Sequence, residues 1–116
     1  MKIDDWRKKI DAIDTAMLHL LNLRAQLAVE VGRLKQEEGV ALRAPAREQE
    51  ILSRMKAANP GPLDNATVER IYQLILDESI RTQESHGFAK PGYAAHPAPG
   101  GTRGEHRKPS RRRWRK

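Results

Sequence analysis

Apolar residues recur every three or four positions along the first third of the chain. The series is Ile3, Trp6, Ile10, Ile13, Met17, Leu20, Leu27, Val31 and Leu34. This is the spacing of the a and d positions of an α-helix. No proline occurs before Pro45, and Gly39 suits a helix end shortly after Lys35. The pattern predicts one long helix over residues 3–35, and Arg24 interrupts its apolar stripe.

Two shorter helices are predicted to follow. Pro45 suits the first turn of the second helix, whose apolar face contains Ile51, Leu52 and Met55. The run Asn-Pro-Gly-Pro at residues 59–62 ends it, and Asp64 is a good N-cap for the third helix. The apolar stripe of that helix is Val68, Ile71, Tyr72 and Ile75. No alternating β pattern or internal repeat is present, so we predict an all-α fold of one long, one short and one medium helix.

The long helix is too long for the domain that its own chain can build. A helix of some 35 residues is roughly 50 Å long. A compact domain of about 85 residues is only ~30 Å across. We therefore expect a partner subunit to cover the overhanging stripe, and we expect Trp6, Met17 and Tyr72 to be core residues.

Charge divides the chain into two parts. Residues 1–83 hold 13 Lys+Arg and 13 Asp+Glu, whereas residues 84–116 hold 9 Lys+Arg and 2 Asp+Glu. The C-terminal part therefore carries the whole net charge of +7. From about His86 it is rich in Gly, Pro, Ala and basic residues, which bury too little apolar surface to fold. We predict a helical domain over residues 1–86 and a basic, disordered tail over residues 87–116.

Several classes of site and location are excluded by composition. The chain has no cysteine, so disulfides and thiolate metal sites are ruled out and a reducing cytoplasm is expected. The four histidines show no metal-ligand spacing, and no phosphate-binding glycine loop or nucleophile elbow occurs. No signal sequence or membrane-spanning run is seen. We expect a soluble cytoplasmic protein with no metal, cofactor or membrane partner.

Candidate chemistry lies in polar residues at positions where apolar residues are expected. Arg24 and Lys35 are eleven residues apart, so they project from one helix face about 16 Å apart. Arg47 lies in the first turn of the second helix, and Ser79 and Gln83 extend the apolar row of the third. Burying these groups is costly unless something pairs with them.

Spacing alone leaves two interpretations of these residues open. An arginine within an apolar stripe often extends to solvent or pairs within the bundle, and a lysine near a helix C-terminus often lies on the surface. The acids nearest in sequence do not obviously neutralise all the cations: Glu30, Glu48 and Glu78. A small ligand with more than one carboxylate would do so, because arginine binds carboxylate through two parallel hydrogen bonds.

Five motifs in order resemble the all-helical chorismate mutase family. They are residues 6–14 (WRKKIDAID), residues 24–32 (RAQLAVEVG) followed by Lys35, Arg47-Glu48, residues 61–65 (GPLDN), and residues 77–79 (DES) with Thr82-Gln83. The resemblance covers residues 3 to about 84 with the helical spacing preserved. The chain also resembles the mutase domain of proteins in which a chorismate mutase is fused to a prephenate dehydratase.

The resemblance implies an assembly and a role for each matching residue. Two chains would intertwine into a six-helix homodimer, with Arg24, Arg47 and the partner's Arg7 binding the carboxylates of chorismate. Lys35 and Gln83 would be the catalytic residues that hydrogen-bond the ether oxygen, Glu48 would bind the ring hydroxyl, and Ser79 would assist at a carboxylate. Arg7 lies roughly 25 Å along the helix from Arg24, which agrees with delivery by an antiparallel partner.

The implied reaction is the rearrangement of chorismate to prephenate, in phenylalanine and tyrosine biosynthesis. It breaks a C–O bond as a C–C bond forms, and it needs no nucleophile, metal or redox cofactor. Binding of the compact conformer and stabilisation of charge on the ether oxygen would supply catalysis. Because Gln83 is an amide, its hydrogen bond needs no protonation, so activity is expected to persist at neutral and mildly alkaline pH.

Two alternative functions follow from features that depart from this family pattern. Many relatives carry Asp where this chain has Ala44, and the Ala44-Pro45 pair resembles the isochorismate pyruvate lyases, which share the fold. Glu48 and residues 61–65 favour a mutase. The second alternative is a basic nucleic-acid-binding helical protein, because the arginine-rich tail with Trp114 suits weak contact with phosphates and bases. The neutral charge of residues 1–83 argues against it.

Overall fold

Residues 1–88 of the chain fold into three α-helices joined by two short loops. A computed structural model describes residues 1–88, in which α1 spans Ile3–Glu38, α2 spans Pro45–Ala58 and α3 spans Asn65–Ser85. No strand occurs among those residues, so the predicted all-α order of long, short and medium helix is confirmed. Apart from its first two residues, the predicted basic tail lies outside the described residues. None of the helices in residues 1–88 combines the length and apolar content needed to cross a bilayer.

Each helix begins or ends at a residue that local chemistry favours there. Gly39 adopts a left-handed conformation with φ 74°, and its amide donates to the carbonyl of Gln36, which ends α1. Pro45 occupies the first turn of α2, where a backbone N–H would have no partner within the helix, so its absence costs nothing. The Asp64 carboxylate accepts a 2.7 Å hydrogen bond from the amide of Thr67 and caps α3. These boundaries agree with the sequence patterns.

α3 packs against both other helices and forms two small apolar clusters with them. The cluster near the end of α1 contains Val29, Leu42 and Phe88, with Ile80 packed against it. The cluster between α2 and α3 contains Ile51, Leu52 and Leu76, with Met55 and Tyr72 against it. The polar site described below lies between these clusters and the face of α1.

Phe88 extends the packed domain two residues past the predicted boundary at residue 86. The backbone turns at Gly87, whose φ is 92°, and the Phe88 amide donates to the Gln83 carbonyl at 3.1 Å. This turn returns the aromatic ring to Val29 and Leu42, where it is buried. Hydropathy alone did not indicate this contact, because Phe88 lies in a stretch rich in Gly, Pro and basic residues.

The N-terminal part of α1 extends beyond the rest of the domain. The helix has 36 residues and is therefore roughly 54 Å long, and residues 1–23 are all exposed in the single chain. Trp6 and Met17 are 55% and 50% exposed, so the prediction that they are core residues is wrong for one chain alone. For Trp6 the physical reason is the overhang. Met17 lies beside α3 and lines an open apolar pocket with Leu63 and Ile71, so its side chain stays half exposed in one chain. Tyr72, by contrast, is partly buried.

Candidate active site

Six of the seven residues selected from the sequence line one pocket of about 300 Å³ where the three helices meet. They are Arg24 and Lys35 of α1, Arg47 and Glu48 of α2, and Ser79 and Gln83 of α3. Apolar side chains complete the walls: Leu27, Val31, Ile51, Leu76 and Ile80. The structure therefore brings together residues that lie up to 59 positions apart in sequence.

The charges lining the pocket favour an anion. Arg24, Lys35 and Arg47 are cationic and Glu48 is the acid, which leaves an excess of two positive charges among the lining residues. Guanidinium groups bind planar carboxylates through paired N–H donors. A compact ligand with two carboxylates matches both this charge and this donor chemistry.

Arg24 is held at the pocket by α3. Its Nη1 donates a 2.6 Å hydrogen bond to Ser79 Oγ, and the Ser79 hydroxyl donates to the carbonyl of Ile75 at 3.0 Å. A guanidinium has five N–H donors, so this contact orients the group and uses one of them. Ser79 therefore positions a cation of the pocket and also lines the pocket itself.

Lys35 is anchored by the loop between α1 and α2. Its Nζ donates a 2.6 Å hydrogen bond to the carbonyl of Leu42, whose side chain is buried in the apolar cluster with Val29 and Phe88. An ammonium has three donors, so a ligand in the pocket can accept from the others. Lys35 lies in the last turn of α1, where a cation also interacts favourably with the helix dipole.

Gln83 is the buried polar residue of the site, with only 4% of its surface exposed. Its Nε2 donates to the Ala28 carbonyl at 2.7 Å, which leaves a second N–H on the same nitrogen. Its Oε1 is buried without a hydrogen-bond partner among the described residues. A buried amide with unused hydrogen-bonding capacity is costly, and a ligand that completes its hydrogen bonds offsets that cost.

Gly32 allows Gln83 to approach α1 closely. A Cβ at Gly32 would lie 2.8 Å from Gln83 Cγ and 3.1 Å from Phe88 Cδ2, both shorter than ordinary van der Waals contact. In the sequence, Gly32 is the last residue of the motif at residues 24–32. Its place in that motif was the available signal, but the contact itself depends on how α3 packs.

Replacing Gly32 by alanine is expected to lower the free energy of unfolding by up to about 2 kcal/mol. Alanine favours the helix by about 1 kcal/mol, but the overpacked contact costs about 1–3 kcal/mol. Urea unfolding at a fixed protein concentration measures the difference. The loss should shrink in a Gln83→Ala background, where Cγ is absent. A more stable Gly32→Ala protein would contradict the close approach of α3.

α2 supplies one exposed cation and one largely buried acid. Arg47 pairs with Glu50 at 2.9 Å near the surface. Glu48 is 16% exposed, and both of its carboxylate oxygens accept from Arg43, at 3.0 and 3.3 Å. Sequence reasoning missed Arg43, because nothing in the spacing indicated that this loop residue would reach Glu48.

Ala44 has two roles at the start of α2. It lines the pocket, and it is the N-cap residue of the helix, with no side chain able to accept from the first turn. An aspartate at this position would cap the helix and add an acid to the pocket. Here Glu48 is the acid among the lining residues.

Arg7 lies outside this pocket in the single chain. It is near the exposed start of α1, its side chain is 71% exposed, and Asp4 lies 3.9 Å away. The distance along α1 separates Arg7 from the Arg24 of its own chain. Its assignment to the pocket of a partner subunit therefore stays a prediction.

Comparisons with known proteins give one consistent result. Residues 6–84 match the model of the family described as chorismate mutase type II. A bifunctional chorismate mutase/prephenate dehydratase of Neisseria gonorrhoeae is 39% identical over 77 residues, which are 66% of this chain and 21% of that protein. The corresponding protein of Escherichia coli K12 is 38% identical over 80 residues, 68% of this chain and 21% of its own length. The chain thus spans about a fifth of these bifunctional relatives.

Smaller relatives match over most of their length. A chorismate mutase of Methanocaldococcus jannaschii is 30% identical over 86 residues, which cover 73% of this chain and 87% of that protein. The structure of a chorismate mutase from Thermus thermophilus (form II) is 34% identical and superimposes with a TM-score of 0.71, over 72% of this chain and 96% of that one. With the family model matched over residues 6–84, the chain belongs to the chorismate mutase type II family.

Proposed function

We propose that the protein is a chorismate mutase that converts chorismate to prephenate in the biosynthesis of phenylalanine and tyrosine, in the cytoplasm. One observation carries the proposal: six polar residues from three helices line a single pocket with two excess positive charges. Chorismate is a compact dianion with two carboxylates, an ether oxygen and a ring hydroxyl. Family membership supports the same reaction class.

The cations bind and orient the two carboxylates. Arg24, fixed by Ser79 at 2.6 Å, takes one of them, and Arg47 takes the other with help from the partner's Arg7. Only Nη1 of Arg47 pairs with Glu50, so its other donors can bind the carboxylate, and loss of that exposed ion pair would cost little stability. Glu48 accepts a hydrogen bond from the ring hydroxyl. These contacts select the folded conformer in which the two reacting carbons lie close together.

Lys35 and Gln83 act on the ether oxygen, where negative charge grows as the C–O bond breaks. The Lys35 ammonium and the second N–H of Gln83 are donors already positioned at the pocket by Leu42 and Ala28. Donors fixed before the reaction stabilise the transition state more than mobile water does. The rearrangement moves electrons within one molecule, so it requires no proton transfer, nucleophile or cofactor.

The active form is an intertwined six-helix homodimer. The exposed apolar residues of the N-terminal half of α1 support it, since Ile3, Trp6, Ile10, Ile13 and Met17 are each at least half exposed in one chain. Sedimentation of the purified protein should give a dimer, and a stable folded monomer would refute this assembly.

Product analysis tests the proposed reaction directly. Purified protein is mixed with chorismate and, separately, with isochorismate, and the products are identified. Prephenate from chorismate is expected. Salicylate and pyruvate from isochorismate would indicate instead the lyase activity that the Ala44-Pro45 pair resembles. Retention of RNA without turnover of either substrate would favour the nucleic-acid-binding alternative.

A Gln83→Glu variant is expected to make turnover depend on pH, unlike the natural protein. The Gln83 amide donates at any pH, so turnover of the natural protein should vary less than about threefold between about pH 6 and 8. A glutamic acid there donates only while protonated, so the variant should lose roughly tenfold per pH unit above the pKa of the new carboxyl group. Initial rates across this range measure both. A steep loss in the natural protein would exclude the assigned role of Gln83.

A further inference from the structure

Arg43 connects the pocket to a carboxylate outside it. This residue lies in the loop between α1 and α2, and its guanidinium contacts Glu48 of α2 and Asp77 of α3. Glu48 lines the pocket, whereas Asp77 does not. Gln73 also donates to Asp77 at 3.2 Å, so the outer carboxylate is held from its own helix. The charges of this group are therefore ordered as Glu48, Arg43 and Asp77 from the pocket outward.

The contact with Glu48 fixes the plane of its carboxylate. Nε of Arg43 donates to Oε2 at 3.0 Å and Nη2 donates to Oε1 at 3.3 Å, the two-bond geometry that arginine forms with a carboxylate. Each carboxylate oxygen still has a lone pair for a ligand hydroxyl. Hydrogen bonds to Glu48, and to a lesser extent to Asp77, raise the pKa of Arg43. Hydrogen bonds from Arg43, and to a lesser extent from Gln73, lower the pKa of Asp77.

Without Arg43, the negative charge of Glu48 would turn toward the pocket. The other cations that line it are Arg24, Lys35 and Arg47, which are the groups that bind and act on a dianionic substrate. A free Glu48 would pair with one of them and repel an incoming carboxylate. No second acid lines the pocket within residues 1–88, since position 44 is alanine, so no other residue there compensates for a misplaced Glu48.

We propose that Arg43 is a positioning residue for substrate recognition. It holds the Glu48 carboxylate toward the ring hydroxyl of the substrate and away from the cations of the pocket, and Asp77 holds Arg43 in place from the other side. The inference rests on the proposed chorismate mutase function. Arg43 does not line the pocket, so it acts through Glu48. Its removal is expected to weaken substrate binding more than it slows the chemical step.

A double-mutant cycle separates this role from a structural one. In the full-length chain, Arg43→Gln should raise KM for chorismate about tenfold and change kcat less than about threefold. In a Glu48→Gln background the same change should alter KM less than about twofold, because no charge remains to be held. Asp77→Asn should raise KM by roughly threefold. The KM of Arg43→Lys should lie between those of Arg43→Gln and the natural protein, since lysine restores the charge without the paired donors.

Arg33 provides the matched control. It also bridges two carboxylates, Glu30 and Glu37, but it lies away from the pocket lining. Arg33→Gln should leave KM and kcat unchanged. If Arg43→Gln proves unfolded by circular dichroism, Asp77→Asn carries the test, because the Asp77 side chain is only half buried.

Distinct outcomes overturn the inference and the function. The positioning role would be refuted if Arg43→Gln raised KM equally in the natural protein and in the Glu48→Gln variant. It would also be refuted if neither Arg43→Gln nor Asp77→Asn raised KM. Absence of prephenate formation by the natural protein would refute the proposed function instead.

Discussion

Replacing Lys35 by alanine is expected to reduce kcat for chorismate by about 10²–10³-fold, or about 2.7–4 kcal/mol of barrier, as for one oxyanion donor. The ammonium is held 2.6 Å from the Leu42 carbonyl at the pocket wall, so it is positioned before substrate arrives. The charge it stabilises grows on the ether oxygen only as the C–O bond breaks. The effect should therefore appear mainly in kcat, with a smaller change in KM.

Lys56→Ala is the matched control for this prediction. Lys56 lies in the last turn of α2 and pairs with Glu69 at 2.8 Å, away from the pocket lining. Its removal should change kcat less than about twofold, because Lys56 does not line the pocket and its surface ion pair contributes little to stability. Thermal unfolding of both variants shows whether the Leu42 carbonyl left without its donor destabilises the fold. A loss of kcat under about threefold in a folded Lys35→Ala protein would rule out the assigned role.

The three helices could be predicted because their signals are local. Gly39, Pro45 and Asp64 act through their own backbone or the first turn beside them, and each marks a helix boundary in the structure. The helical period also placed Arg24 and Lys35 on one face before any tertiary contact was known. Local rules of this kind do not depend on how the helices pack.

The contacts that sequence reasoning missed depend on tertiary packing. Arg43 reaches Asp77 across 34 positions, and Gly32 accommodates Gln83 and Phe88 from the last part of the described chain. No periodicity encodes such an approach. The error over Trp6 and Met17 has a related cause, since an apolar stripe predicts burial but does not say whether the covering surface belongs to the same chain.

This distinction bears on Arg7, which is predicted to reach the pocket of a partner chain. Arg7→Ala and Arg24→Ala should each lower kcat/KM by an amount equivalent to about 2–5 kcal/mol, as expected for removing one partner of a buried charge pair. In the shared-site dimer, each pocket combines Arg24 of one protomer with the partner's Arg7. The two variants therefore damage different halves of the same pocket.

Mixing the two variants should restore activity that neither has alone. After subunit exchange at equal amounts, about half of the dimers contain one chain of each kind in a symmetric assembly. One pocket of such a dimer has both arginines intact and the other has neither, so about a quarter of the natural activity should return. Distinct affinity tags on the variants establish that exchange has occurred.

The result decides between two arrangements of the same residues. If each Arg7 served the pocket of its own chain, every pocket in a mixed dimer would still lack one arginine, and no activity would return after exchange.

Mixing natural protein with a chain that carries both substitutions is the converse control. If pockets are shared, every pocket of a mixed dimer lacks one arginine, so exchange should halve the activity of this mixture. If each pocket belongs to one chain, exchange should leave the activity of the mixture unchanged. Recovery in the first mixture together with loss in the second would place one α1 helix across two pockets, with Arg24 and Lys35 serving its own chain and Arg7 serving its neighbour.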